Sequence, residues 1–143
     1  MKSIINSLCV LLLMVLMSSC CTTRKAQVSS SINGEWNIVE VNGTKVNMTD
    51  DTESPFIGFN VNENRVYGNS GCNRMTGTLS VNTKSKSLNF GNVASTRMAC
   101  HNMELENRVL EAVNIVSTYN VLKDGSIGLY DKGNKMVMKL EKK

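Results

Sequence analysis

One histidine, one proline and one tryptophan are all that the 143 residues hold of those three types. A lone His, with no CxxC pair and no HxxxH spacing, leaves too few ligands for a zinc centre and no partner for histidine acid–base work. No metal and no cofactor are therefore expected. The single Pro and ten Gly, with no repeated tract, exclude collagen-like and largely disordered chains. Sixteen Lys and Arg stand against twelve Asp and Glu, and the resulting +4 is too small and dispersed for a nucleic-acid surface. What is present is an ordinary globular composition, 41% hydrophobic, in a chain too short for two full domains.

The first segment reads as an address. Lys2 precedes an apolar run from Ile4 to Met17 that closes in Ser18, Ser19 and Cys20, the charged start, short apolar core and small-residue end of a secretory signal peptide. A spanning helix needs about 20 apolar residues, so residues 1–19 are expected to be removed. The run Leu16-Met17-Ser18-Ser19-Cys20 resembles a bacterial lipobox. That resemblance implies a diacylglyceryl group on the Cys20 thiol and Cys20 as the mature N-terminus. Several acyl chains hold a protein stably on a membrane, whereas one is marginal. Residues 20–33 are then a lipidated N-terminus and flexible tether, rich in Ser and Thr, with Arg24 and Lys25 as its cations. Cys21 has no evident partner.

Residues 34–143 read as one domain. Glu35 to Val41 alternates, placing Val39 and Val41 on one face, and ends at Asn42-Gly43, a strong hairpin signal. Short strands follow at Lys45 to Met48, Phe56 to Val61 and Arg65 to Tyr67, then an irregular loop at Gly68 to Gly71, then strands at Arg74 to Val81 and Ser87 to Phe90. The period then changes: Leu105, Val109, Ala112, Val113 and Val116 share one helical face, with Asn102 placed to cap and Glu104 and Glu106 suited to the positive helix end. One amphipathic helix is predicted from about Met103 to Ser117. Three more strands follow at Tyr119 to Leu122, Ser126 to Tyr130 and Lys135 to Leu140, where Met136, Met138 and Leu140 form an apolar row. A lone helix cannot bury its stripe alone, and about seven or eight short strands must protect their edges. The expected fold is α+β, mainly β: a curled antiparallel sheet or partly open small barrel packed on the helix. A flatter sheet crossed by the helix is the alternative.

Gly34-Glu35-Trp36, Gly71-Cys72-Asn73-Arg74 with Gly77, Thr96-Arg97-Met98-Ala99-Cys100, the helix directly after it, and Leu129-Tyr130-Asp131 stand in this order. The series resembles the META-domain family, which includes the HslJ-type heat-shock lipoproteins, over roughly residues 33–141. The GCNR and TRMAC strings carry the specificity. The resemblance implies a small domain of antiparallel strands plus a helix, secreted or lipid-anchored, linked to envelope stress and without an established reaction.

Cys72 and Cys100 are the half-cystine candidates inside the fold, and in an exported domain such a pair is more often bridged than free. Closing that loop would stabilise by roughly 3 to 4 kcal/mol; two reduced, buried thiols remain the alternative, because spacing does not show geometry. His101 beside Cys100 suggests a Cys–His nucleophile, but adjacent side chains point apart and a bridged thiol cannot attack. Asp50, Asp51 and Glu53 lack the spacing and Gly of a calcium loop. Arg74 and Arg97 flank the two Cys strings, so a bridge would gather them as a candidate anion or partner contact, against a plainer role with surface or backbone-carbonyl partners. Trp36 suits a core or barrel-end plug. The expected protein is not an enzyme. It is a lipid-anchored cell-envelope module on the periplasm-facing outer membrane, binding or stabilising an envelope protein partner under stress. The rival reading is a carrier of a small apolar ligand inside the barrel.

Overall fold

The computed structural model describes residues 31–47, 54–100 and 103–143. The signal segment, Cys20, Cys21, the tether as far as residue 30, Asp50, Asp51, Glu53, His101 and Asn102 lie outside them. Among the described residues there are nine strands: β1 (Gly34–Val41), β2 (Thr44–Lys45), β3 (Phe56–Asn60), β4 (Arg65–Asn69), β5 (Arg74–Asn82), β6 (Ser87–Ser95), β7 (Thr118–Val121), β8 (Ile127–Tyr130) and β9 (Met136–Lys142). The helix α1 (Glu104–Ile115) stands between β6 and β7.

All neighbouring strands are antiparallel; from β3 to β9 they follow chain order, β1 lies between β2 and β3, and β9 returns to pair with β1. One edge of β1 serves β3 through Gly34 to Asn37 and β2 through Glu40 and Val41; the other serves β9. The sheet therefore curls into a hydrogen-bonded ring, which leaves few strand edges open. Its thinnest joint is β6 to β7, with the single register pair Ser87↔Thr118 and backbone bonds from Leu88 N to Ser117 O and Tyr119 N to Lys86 O, both 2.9 Å. The helix packs on β1 and β6 and buries Leu105, Val109, Ala112 and Val113.

Local chemistry sets the turns. Asn42 and Gly43 have φ of 51° and 79°, as a two-residue hairpin whose twist matches its strands requires. Asn82 Oδ1 accepts the N–H of Lys84 at 3.0 Å and of Ser85 at 3.2 Å, shaping the β5–β6 turn. Asp131 Oδ1 accepts Lys135 N at 2.9 Å before β9.

Several elements depart from the sequence expectation. Strand β1 buries Trp36, Ile38 and Val41, because a register shift against β9 between Ile38 and Glu40 sets Val39 as an extra residue and returns Val41 to the inner face. Gly68 and Asn69, expected in a loop, belong to β4 and pair with Met75 and Arg74. Strand β6 runs on to Ser95 through a second register shift opposite Gly77. The helix begins after Met103 rather than Asn102, with no side-chain cap bond, and stops at Ile115 because Val116 leaves helical geometry at ψ 135°. Val116 is nonetheless buried. Along β9, Val137 joins Met138 and Leu140 in the core, while Met136 is half-buried.

Candidate functional site

The GCNR and TRMAC strings meet at one buried amide. Between β4 and β5 the chain turns tightly: Asn69 Oδ1 accepts Gly71 N at 2.6 Å, and the N–H and hydroxyl of Ser70 both donate to Asn73 O at 2.9 Å. Gly71 has φ of 120°, a conformation open to glycine and costly to other residues. This loop presents Asn73, 1% exposed, to two other segments. Its Oδ1 accepts the Thr96 hydroxyl at 2.6 Å and Met98 N at 2.8 Å. Its Nδ2 donates to Met98 O at 3.1 Å and to Glu106 Oε1 and Oε2 at 2.9 and 3.0 Å. Its backbone N–H reaches Glu106 Oε2 at 3.1 Å.

Glu106 is 3% exposed, and a carboxylate so placed stays buried only where donors satisfy it. It lies in the first turn of α1, where the helix dipole also favours an acid. One side chain thus ties the loop into β5, the segment after β6 and the start of the helix. Cys72 and Cys100 are joined by a disulfide across the same segments, with Cα atoms 6.2 Å apart. The hydroxyl of Thr96 is engaged by Asn73 and also accepts Arg74 N at 3.2 Å, and the paired sulfurs titrate no proton. Thr96, the bridged cysteines and Glu106 all work within the fold here.

Two clefts flank this junction. The smaller, about 320 Å³, is lined by Asn73, Arg97, Met98, Met103 and Glu106 among others. The larger, about 600 Å³, lies on the outer face of β3 to β6, with Phe56, Arg65, Tyr67, Arg74, Thr76 and Ala94 on its walls. Arg74 and Arg97 accordingly line different clefts, which share Ser95 and Thr96.

Beside the larger cleft, Glu35 Oε2 pairs with Lys143 Nζ at 2.8 Å and Glu35 Oε1 accepts the Tyr67 hydroxyl at 3.4 Å. The hydrogen bond from Lys143 holds the Glu35 carboxyl below its usual range, while burial, and then Glu35, push the Tyr67 phenol up. Trp36 is buried as a core residue and donates Nε1–H to Ile32 O at 2.8 Å; Lys142 Nζ sits 4.6 Å from its ring centre.

Sequence reasoning singled out Cys72, Cys100, Arg74 and Arg97; the structure joins the two cysteines but sets the two arginines in different clefts rather than together, and the sequence did not point to the burial of Glu106 or to Phe56, Arg65 and Tyr67 as cleft walls. Glu106 stands three residues before Val109 and beside Leu105, on the margin of the apolar stripe, which is a signal for a buried acid. Among the described residues no cluster of three or more His, Cys, Asp or Glu could hold a metal, and no helix is long and apolar enough to cross a membrane.

No curated protein matches the chain. Among solved structures it resembles a protein from Burkholderia xenovorans at 19% identity, over 82% of this chain and 87% of that one, with a TM-score of 0.61. A second structure, solved by NMR, matches at 22% identity over 80% and 92% of the two chains, with a TM-score of 0.60. The crystal structure of a duf4847 family protein from Bacteroides vulgatus matches at 15% identity over 79% and 94%, with a TM-score of 0.56. At such identities these likenesses speak to the fold. The family itself is given by residues 28–143, which match the META domain, so this chain belongs to the META-domain family.

Proposed function

We propose that the protein is a non-enzymatic, lipid-anchored module of the bacterial cell envelope, of the HslJ type, exported to the periplasm-facing outer membrane and binding or stabilising a protein partner under stress. The observation that carries this reading is what the signature residues do. Asn73 satisfies Glu106 and Met98, and Cys72 is bridged to Cys100, so the residues that mark the family hold the fold rather than stand ready for a substrate. A bridge of this kind suits an oxidising compartment, and the lipobox-like run ending at Cys20 supplies the anchor.

The carrier reading needs room inside the ring. Ile57, Phe59, Leu129, Met138 and Leu140 are each at most 1% exposed, and their packing favours a partner met on the outer surface. Cross-linking in intact envelopes followed by pull-down tests the proposal: a specific protein adduct supports it. A small apolar molecule that co-purifies in native mass spectrometry, with no protein adduct, would favour the carrier instead. A hydrolytic activity lost in His101→Ala at unchanged stability would refute the non-enzymatic reading.

A further inference from the structure

The register of four strands makes a hollow on the outer face with a cation on either side. Three rows cross the sheet there. Phe56, Asn69 and Arg74 form the first, Gly58, Tyr67, Thr76 and Ala94 the second, and Asn60, Arg65, Thr78 and Gly91 the third. Within the middle row the side chains shrink from Tyr67 through Thr76 to Ala94, and the last two are exposed. A Cβ on Gly58 would collide with the Tyr67 ring, so it is the missing side chain that lets this ring lie across β3. Phe56 meets Tyr67 edge-on, with centroids 6.5 Å apart and planes at 78°. The cleft thus has an aromatic wall, a floor of small side chains and Arg65 and Arg74 at its two ends.

Among the described residues neither arginine forms an ion pair. The ion pairs among the described residues involve Lys139 and Lys143, and the acid nearest the aromatic wall, Glu35, is taken by Lys143. The Arg65 guanidinium lies over the Tyr67 ring, 5.8 Å from its centroid. A guanidinium offers paired donors whose geometry matches a carboxylate, and flat rings favour a flat apolar body. A cleft of about 600 Å³ has the size of a small-molecule site.

We infer that this outer cleft binds an aromatic carboxylate, its flat body against Phe56 and Tyr67 over Thr76 and Ala94 and its carboxylate held by Arg65 and Arg74. The inference stands on the cleft alone and does not depend on anchoring or on stress. The source of the carboxylate is either a free small acid or the C-terminus of a peptide ending in an aromatic residue.

Both are tested on the whole chain by two-dimensional NMR. One arm titrates 2-naphthoate against its neutral amide; the other titrates a short peptide ending in Phe as the free acid against the amidated form. Saturable shifts centred on Tyr67, Thr76 and Ala94 with an acid, and at least tenfold weaker binding of its neutral counterpart, support the site, and the tighter acid names the source. Arg65→Gln with Arg74→Gln should weaken that acid at least tenfold while the melting temperature holds, since both side chains are exposed. Absence of saturable shifts in both arms, equal binding of acid and amide, or affinity unchanged in the double variant would overturn the proposal.

Discussion

Asn73 grips Glu106 twice, through its backbone N–H at 3.1 Å and through its side-chain amide at 2.9 and 3.0 Å, with both residues almost wholly buried. The contact joins the loop before β5 to the first turn of the helix, and the Cys72–Cys100 bridge runs beside it. Removing either half therefore leaves polar atoms in the interior without partners.

Asn73→Ala removes the side-chain amide from Glu106, Met98 and Thr96 at once and leaves the buried Glu106 carboxyl only the backbone N–H of residue 73. The expected loss is about 3 kcal/mol or more. Thermal unfolding should show a melting temperature lower by over 10 °C for a domain near 100 residues. A fall of only a degree or two would mean that water or another donor takes over.

Much of this architecture was legible because alternation and turn chemistry are local. Trp36 and Ile38, Asn42-Gly43 and the Leu105 to Val116 stripe each announce their roles within a few residues. What was hidden arises from pairing between distant segments. Val39 looked like a partner of Val41 until the register against β9 inserted it as an extra residue. Gly68 and Asn69 looked like loop, yet Gly68 is held in β4 where a Cβ would strike the Phe56 carbonyl oxygen. The predicted strand stopped at Phe90, and only the register shift against β5 shows Gly91 and Asn92 inside β6. The outer cleft depends wholly on register, since rows that set Tyr67 beside Thr76 and Ala94 cannot be counted from one strand alone.

The disulfide makes a second prediction. Free-thiol labelling of the folded, oxidised protein should find Cys72 and Cys100 unreactive even in denaturant, and Cys72→Ser should lower the melting temperature by well over 10 °C, as a loss of about 3 kcal/mol does. Two denaturant-revealed thiols at those positions would remove the bridge from the account.

Acid should weaken the β7–β8 turn. Asp124 accepts the Ser126 hydroxyl and backbone N–H and pairs with Lys139 Nζ at 3.1 Å. The Ser126 hydroxyl first, then its N–H and Lys139, hold the carboxyl far below its usual range. A carboxyl depressed on folding stabilises above its unfolded pKa, near 4, and loses that contribution as pH falls through the folded value. Asp124→Asn should melt earlier than the parent at pH 7, and the two should converge as pH is taken well below 4. A gap that stays constant down to pH 2 would show that the charge is not what matters there.

The proposed anchor rests on one thiol. Cys20→Ala should abolish acylation and leave an unprocessed or released chain in intact-mass analysis and membrane fractionation. The same lipid adduct on the variant would place the modification elsewhere.

The claim that the family signature holds the fold is tested most directly by a double-mutant cycle on Asn73→Ala and Glu106→Ala, read by denaturant unfolding of the parent, the two single variants and the double variant. Two residues bonded to each other in the interior should show a coupling of about 1 to 3 kcal/mol, with the double variant losing clearly less than the two singles together. Strictly additive losses, with coupling within about 0.5 kcal/mol of zero, would contradict the account.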